Sequence, residues 1–246
     1  VAVVDYLELF PHVDAVIIAL PHDLHFPVGQ ACMQAGKHIL MEKPLALTEA
    51  ECHTLIAADT SPDPVLMLGY IMRFEPLWTR MGEYLKDGTY GQPFHVSIWT
   101  EQLTNAISRG AWIGQVARLG GGQLFSHGCH YVDLLLDWMG EPVCGTHVGT
   151  NLGTPWMEAE GTSNVSLRFR SGATAYHFGT WGARGSRLRY AVHAHSEQGM
   201  LELDHAAGTI TLHQDSSGGD LPAQGGEGKD KKTQSGPSQT LLYQRE

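Results

Sequence analysis

Three short aliphatic runs, separated by two helical stretches, constrain the first part of this chain most. Residues 13–20 form a near-continuous β-branched and aliphatic run, and residues 39–41 and 65–68 are two more. Runs of this kind suit parallel strands buried on both faces. Between the first two, residues 26–36 carry Val28, Cys32, Met33 and Ala35 at helical spacing and stop at Gly36, a favourable helix end. Between the second and third, Thr48 and Glu51 form a capping-box signature that opens a helix running to about residue 58. Strand, helix, strand, helix, strand is the pattern of a doubly wound α/β sheet.

The pattern changes near residues 88–93. Residues 76–86 read as a helix closed by Asp87 and Gly88, and residues 94–99 alternate like an antiparallel strand. A loop containing Trp112 leads to Gly120, Gly121 and Gly122, and then to a helix over roughly 127–139. Strands dominate from there, at about 143–150, 162–169, 173–181, 188–195, 199–204 and 208–213, with Arg170, Ser171 and Gly172 as a hairpin turn. This half fits an open, mostly antiparallel sheet with helices on one face. The reading divides the chain into 1–90, part of an α/β domain, and 91–246, an α+β domain. Residues 214–238, rich in Gly, Ser, Lys, Asp and Gln, read as a mobile insert.

Composition excludes several partners. The formal net charge is −10 and no Lys/Arg-rich run occurs, so no nucleic-acid footprint is expected. No apolar stretch reaches the length of a membrane span. Cys32, Cys52, Cys129 and Cys144 are scattered and form no CxxC, which fits free thiols in a reducing, cytoplasmic setting. His127 and His130 are one helical turn apart beside Cys129, but the usual four-ligand spacing is lacking, so no metal is expected. The chain opens on Val1 and ends on what reads as a strand just starting, Gln239 to Tyr243; it is expected to be a fragment clipped at both ends.

Taken in order, certain residues form a constellation. One strand ends Ala19-Leu20-Pro21, with His22 and His25 following. The next ends Glu42-Lys43-Pro44. Gly69 and Tyr70 are followed by Arg73, Phe74 and Pro76, and Gly121 and Gly122 by Gly128, His130 and Asp133. This resembles the oxidoreductase family of glucose–fructose oxidoreductase, inositol dehydrogenase and their relatives (Gfo/Idh/MocA type) over roughly residues 5–213. The resemblance implies a Rossmann domain that holds NAD or NADP, an open-sheet domain, hydride transfer between the nicotinamide and a sugar, polyol or related alcohol, and homo-oligomers paired through the open sheet.

Residue by residue, the resemblance implies that Lys43 and His130 are catalytic. A lysine at the carboxyl end of a strand can donate to a substrate oxygen that gains charge, and an imidazole can accept or donate the hydroxyl proton. Leu20, Pro21, His22, His25, Glu42, Lys43, Pro44 and Arg73 would contact the cofactor, and the Pro44 peptide bond would be cis. Tyr70, Trp112, Ser126 and His127 would face the substrate; the Trp112 indole could stack on a sugar ring. Asp133 could orient His130 from one turn away.

Two features depart from the family pattern. Many members carry Asp four residues before the helix histidine, where this chain has Ser126, which holds no charge to raise the basicity of His130. The relay then runs through Lys43 and His130 alone, or His127 substitutes, or activity is reduced or absent. The GxGxxG phosphate turn and the acidic residue that follows it are also missing, so the choice between NAD and NADP cannot be read. Two other readings stay open: a non-catalytic ligand-binding or scaffold protein that keeps the fold, and an NAD-dependent glycosidase of the same family.

Overall fold

A computed structural model describes residues 2–59, 64–104, 111–214, 236 and 238–243. Most of the stretch read as an insert, 214–238, lies outside the described residues. The chain forms two compact units: Val1–Ile71, Thr104–His130 and Gly149–Thr162 make the first, and Met72–Leu103, Tyr131–Val148 and Ser163–Glu246 the second.

In the first unit, β1 (Ala15–Ile18), β2 (His38–Met41) and β3 (Leu66–Leu68) form a parallel sheet in that order. Helices α1 (His25–Gln34) and α2 (Glu49–Ala58) supply Cys32, Met33 and Leu55, which bury Ile18, Ile39 and Met41 on one sheet face. Gly36 at φ 66° ends α1, with Gly36 N–H donating to Met33 O and Lys37 N–H to Cys32 O. These are the paired bonds of a left-handed helix end. The α2 capping box is fully formed: Thr48 Oγ1 accepts from Glu51 N–H, and Glu51 Oε2 accepts from Thr48 N–H at 3.1 Å. On the other sheet face Ile17, Leu40 and Met67 stand in one register row and are exposed. The run over 13–20 implied burial on both faces. Among the described residues helices cover only one.

The second unit holds α3 (Pro76–Lys86), β4 (Pro93–Glu101), most of α4 (Cys129–Met139), most of β5 (Pro142–Thr150), most of β6 (Thr162–Phe169), β7 (Thr174–Thr180), β8 (Tyr190–Ser196), β9 (Gly199–Asp204), β10 (Thr209–His213) and β11 (Gln239–Tyr243). The strands make one sheet in the order β11-β10-β9-β8-β4-β7-β6-β5. β4 pairs antiparallel with β8 but parallel with β7. Alternation over 94–99 reported a strand with two unlike faces. It could not report strand direction, because period two is the same in either pairing.

Val96, Ile98, Val192, Ala194, Leu201 and Leu203 face inward and pack with Leu77, Trp78, Met81, Leu85, Leu134, Leu135 and Trp138 of the two helices. α3 begins with the Glu75 carboxylate accepting from Trp78 N–H and Pro76 at its first position. His177 of β7 also points inward and is fully buried. Its Nε2 bonds Thr100 Oγ1 at 3.1 Å and its ring stacks on Tyr131.

The two helices meet at Gly82. A Cβ there would stand 2.4 Å from Trp138 Nε1, and the Trp138 ring is itself stacked on Trp78. Alanine adds roughly 1 kcal/mol of helix propensity, whereas overpacking a tight core costs about 1–3 kcal/mol. Gly82→Ala is therefore expected to lower stability in denaturant titration. A stabilised variant would mean that the Trp78–Trp138 stack yields freely.

Candidate active site at the strand ends of the first unit

The site begins where the parallel strands stop. Glu42 N–H donates to Ile18 O, and Gly69 N–H to Met41 O at 2.7 Å, so the three strand ends sit side by side. A side chain at Gly69 would press on Met41 O at 3.2 Å. His25, fully buried at the start of α1, ties two of these ends together: Nδ1 lies 2.7 Å from Pro44 O and Nε2 2.9 Å from Leu20 O. The Lys43–Pro44 peptide bond is cis. Pro21 precedes the turn that carries His22, and the Glu42 carboxylate accepts from Lys43 N–H at 3.3 Å.

Residues 111–130 fasten onto these ends at three points. Lys43 Nζ donates to Ser126 O at 2.6 Å. His22 Nδ1 bonds Leu119 O at 2.8 Å, and Arg118 pairs with Asp23 at 3.1 Å. Trp112 packs edge-on against the His22 ring, with centroids 4.9 Å apart. A carbonyl can only accept, so His22 Nδ1 carries the proton and Nε2 keeps its lone pair when the ring is neutral. Burial, reinforced by the nearby Lys43 ammonium and opposed by the Leu119 bond, lowers the His22 pKa to about 4.

Ser126 sits in a π-helical turn, Leu124–Gly128, that leads into α4. The sequence placed the helix start near 127, three residues late. Such wide turns recur at functional sites. Glu160 anchors this turn: its backbone carbonyl accepts from Gln123 N–H at 2.7 Å and its carboxylate from Leu124 N–H at 3.2 Å. A carboxylate is well placed at a helix start. The three glycines follow from this packing. Gly120 has φ 90°, and a Cβ on Gly122 would stand 2.2 Å from Glu160 O. No sequence signal pointed to Glu160, which meets the turn from 36 positions away.

His127 and His130 lie one turn apart with rings at 6.4 Å; Gln123 contacts His127, and Tyr70 stands edge-on to His130 at 5.9 Å. Ser126 and His130 are buried. The first unit thus holds Leu20, Pro21, His22, His25, Glu42, Lys43, Pro44, Tyr70, Trp112, Ser126, His127 and His130. Arg73 belongs to the second unit. There its guanidinium grips both oxygens of Asp133, at 2.6 and 2.8 Å, and reaches Asp137 at 3.2 Å. Asp133, read as a possible orienter of His130, is held by that fork. Among the described residues no group of three or more His, Cys, Asp or Glu could hold a metal ion.

His22 and His177, whose pKa burial also lowers to about 4, link stability to pH. Each binds its proton less readily folded than unfolded, where imidazole titrates near 6.5. Their contribution is complete above about pH 6.5 and is lost as pH falls towards 4, roughly 3 kcal/mol each. Chemical denaturation from pH 7.5 to 4.5 is expected to show this slope, and His22→Gln to flatten it. An identical slope in the variant would contradict a buried neutral His22.

Two family models match the chain. The one described as "Oxidoreductase family, NAD-binding Rossmann fold" covers residues 2–70, and "GFO/IDH/MocA C-terminal domain" covers 78–202. Myo-inositol 2-dehydrogenase of Thermotoga maritima is 30% identical over 167 residues, 66% of this chain and 48% of that protein. Inositol 2-dehydrogenase 1 of Saccharopolyspora erythraea is 40% identical over 82 residues, 33% of this chain and 24% of that protein. The fold matches levoglucosan dehydrogenase in complex with NADH at a TM-score of 0.79 and 21% identity, over 98% of this chain and 64% of that one. The chain spans about half the length, or less, of these curated relatives. With one module of the family on 2–70 and the other, spanning half of the chain, on 78–202, the chain belongs to the Gfo/Idh/MocA family of oxidoreductases.

Proposed function

We propose that this chain carries the nicotinamide half of the active centre of an NAD(P)-dependent oxidoreductase acting on a sugar, polyol or related alcohol. The observation that carries the reading is Lys43 at the end of β2, held at 2.6 Å by Ser126 O. The site's polar groups fit the nicotinamide and its ribose. Asp23 Oδ1 is a buried acceptor with no hydrogen-bond partner among the described residues, His22 Nε2 is a second acceptor, and Lys43 is a donor. When bound, a nicotinamide supplies the hydride acceptor or donor.

The residues of the chain do the rest. One Lys43 N–H is spent on Ser126 O, which fixes the ammonium and leaves two N–H bonds for a substrate oxygen. Held in place beforehand, that donor stabilises an oxygen whose negative charge grows as hydride leaves carbon. His130 takes the hydroxyl proton in oxidation and returns it in reduction. Where many relatives place a carboxylate against the helix histidine, this chain has Ser126, whose backbone carbonyl holds Lys43.

The division of labour proposed is 1–90 for cofactor and 91–246 for substrate and homo-oligomer contacts, supported by the module matches at 2–70 and 78–202. The oligomer would pair through the sheet face not covered by α3 and α4. The four cysteines are free, which supports a cytoplasmic setting. No helix of the described residues is long and apolar enough to cross a membrane.

The test is Lys43→Ala and His130→Ala in the whole protein, with NAD and NADP reduction followed on a panel of polyols and aldoses. Each is expected to cut kcat by about 10²–10⁴-fold with circular dichroism unchanged. Wild-type turnover in both variants would remove these residues from the chemistry.

A further inference from the structure

Three arginines, Arg184, Arg187 and Arg189, stand within six positions of one loop, between β7 and β8. The net charge of −10 conceals them. Each is exposed, and none pairs with a carboxylate among the described residues. Acidic partners are not scarce. The chain has 26 acidic residues against 16 basic ones, and Arg73, Arg80, Arg118 and Arg170 each hold a carboxylate. Arg168 of β6 is the other described arginine without one.

The loop is closed at its base. Ala183 N–H donates to Gln102 O at 3.2 Å and Glu101 N–H to Arg189 O at 2.7 Å, so residues 183 and 189 meet neighbouring residues at the end of β4. Inside the loop, Ser186 Oγ donates to the Glu101 carboxylate and accepts from Arg189 N–H at 2.8 Å. The one carboxylate bonded to the loop is thus taken by the serine and not by an arginine. Chain length confines the charges: the Arg187 Cα lies at most about 7 Å from that of Arg189 and at most about 11 Å from that of Arg184. Like charges held this close repel, so they bring the loop no stability. Arg189 adds a backbone cost. Its φ is 51°, and it is the one non-glycine residue at positive φ among the described residues. A β-carbon is disfavoured there, whereas glycine is not. Such strain persists where the surroundings fix the backbone, and it gathers at sites of function.

We propose that Arg184, Arg187 and Arg189 form an anion site that takes a carboxylate or phosphate group of the substrate, so that this protein acts on an acidic sugar or polyol rather than a neutral one. The substrate clause rests on the oxidoreductase reading above; the anion site does not. A guanidinium presents its N–H groups in a planar fork that matches two oxygens of either anion. Hydrogen bonds to an ionised acceptor are about twice as strong as those to a neutral hydroxyl, so the loop favours the acidic ligand. A bound anion also cancels the repulsion among the three arginines. The loop lies within the family module matched at 78–202, in the part of the chain assigned above to substrate.

Isothermal titration calorimetry of the whole protein with glucose, glucuronate, glucose 6-phosphate and inorganic phosphate tests the site, the two acidic sugars distinguishing carboxylate from phosphate. At least one acidic sugar is expected to bind about tenfold or more tighter than glucose, and added salt to weaken it. R184Q/R187Q is expected to weaken that ligand by about tenfold to a hundredfold. Arg189→Gly separates binding from folding: its denaturation midpoint is expected to stay at or above the wild-type value, because strain is relieved, while the acidic ligand binds more weakly. Wild-type affinity for every anion in both variants would overturn the site, as would equal affinity for glucose and both acidic sugars. Initial rates with NAD and NADP then test the substrate clause, on glucose against the same two acidic sugars and on myo-inositol against its monophosphate. A higher kcat/KM is expected for the acidic member, with the preference collapsing in R184Q/R187Q. A preference for the neutral member would overturn that clause. Anion binding lost in the variants, with no alcohol oxidised by the wild type, would support the site and count against the oxidoreductase reading.

Discussion

Two backbone carbonyls, Leu119 O and Ser126 O, fix the geometry of the first unit's site. Each accepts from a side chain in the turn after a strand, His22 after β1 and Lys43 after β2. Side chains at strand ends are long and mobile, and by themselves they would sample many positions. Fastened to a helical segment, they lose that freedom on folding rather than on binding substrate, which is how an active site prepares its electrostatics in advance. The segment is held in turn, by Arg118 on Asp23 and by Glu160 on the opening of the π-helical turn.

This arrangement gives the glycines and Ser126 a physical meaning. Gly122 leaves room for the Glu160 carbonyl, and Gly120 supplies a left-handed backbone where the chain turns into the helix. Ser126 contributes its main-chain carbonyl to Lys43 and so fixes the ammonium. The buried neutral His22 serves the same end. Its proton is committed to Leu119, which leaves the opposite ring nitrogen as an acceptor.

The second unit uses its ionic groups differently. Arg73, which motif order assigned to cofactor contact, is forked onto Asp133 and Asp137, and Lys86 shares Asp137 at 3.0 Å. The motif showed that an arginine follows the third strand. It could not show where the guanidinium points, because the two aspartates that take it lie 60 and 64 residues away. Glu160 escaped notice for the same reason: its partners are distant in sequence, and a single glutamate in a loop carries no periodic signal.

The sequence by itself determined the elements. Periods of two and near four, the Thr48–Glu51 box, Gly36 and the Pro76 start are local signals, and the structure has strands and helices where they fall, with residues 76–86 matched to the residue. It also determined which side chains gather at the strand ends, since β1, β2 and β3 are parallel and their carboxyl ends must lie together. Only the tertiary structure decided the rest: the parallel β4–β7 pair beside the antiparallel β4–β8 pair, and the wide turn that offers Ser126 O to Lys43. Local signals come from the backbone preferences of neighbouring residues. These last features depend on which distant strands and carbonyls meet, and no residue encodes that alone.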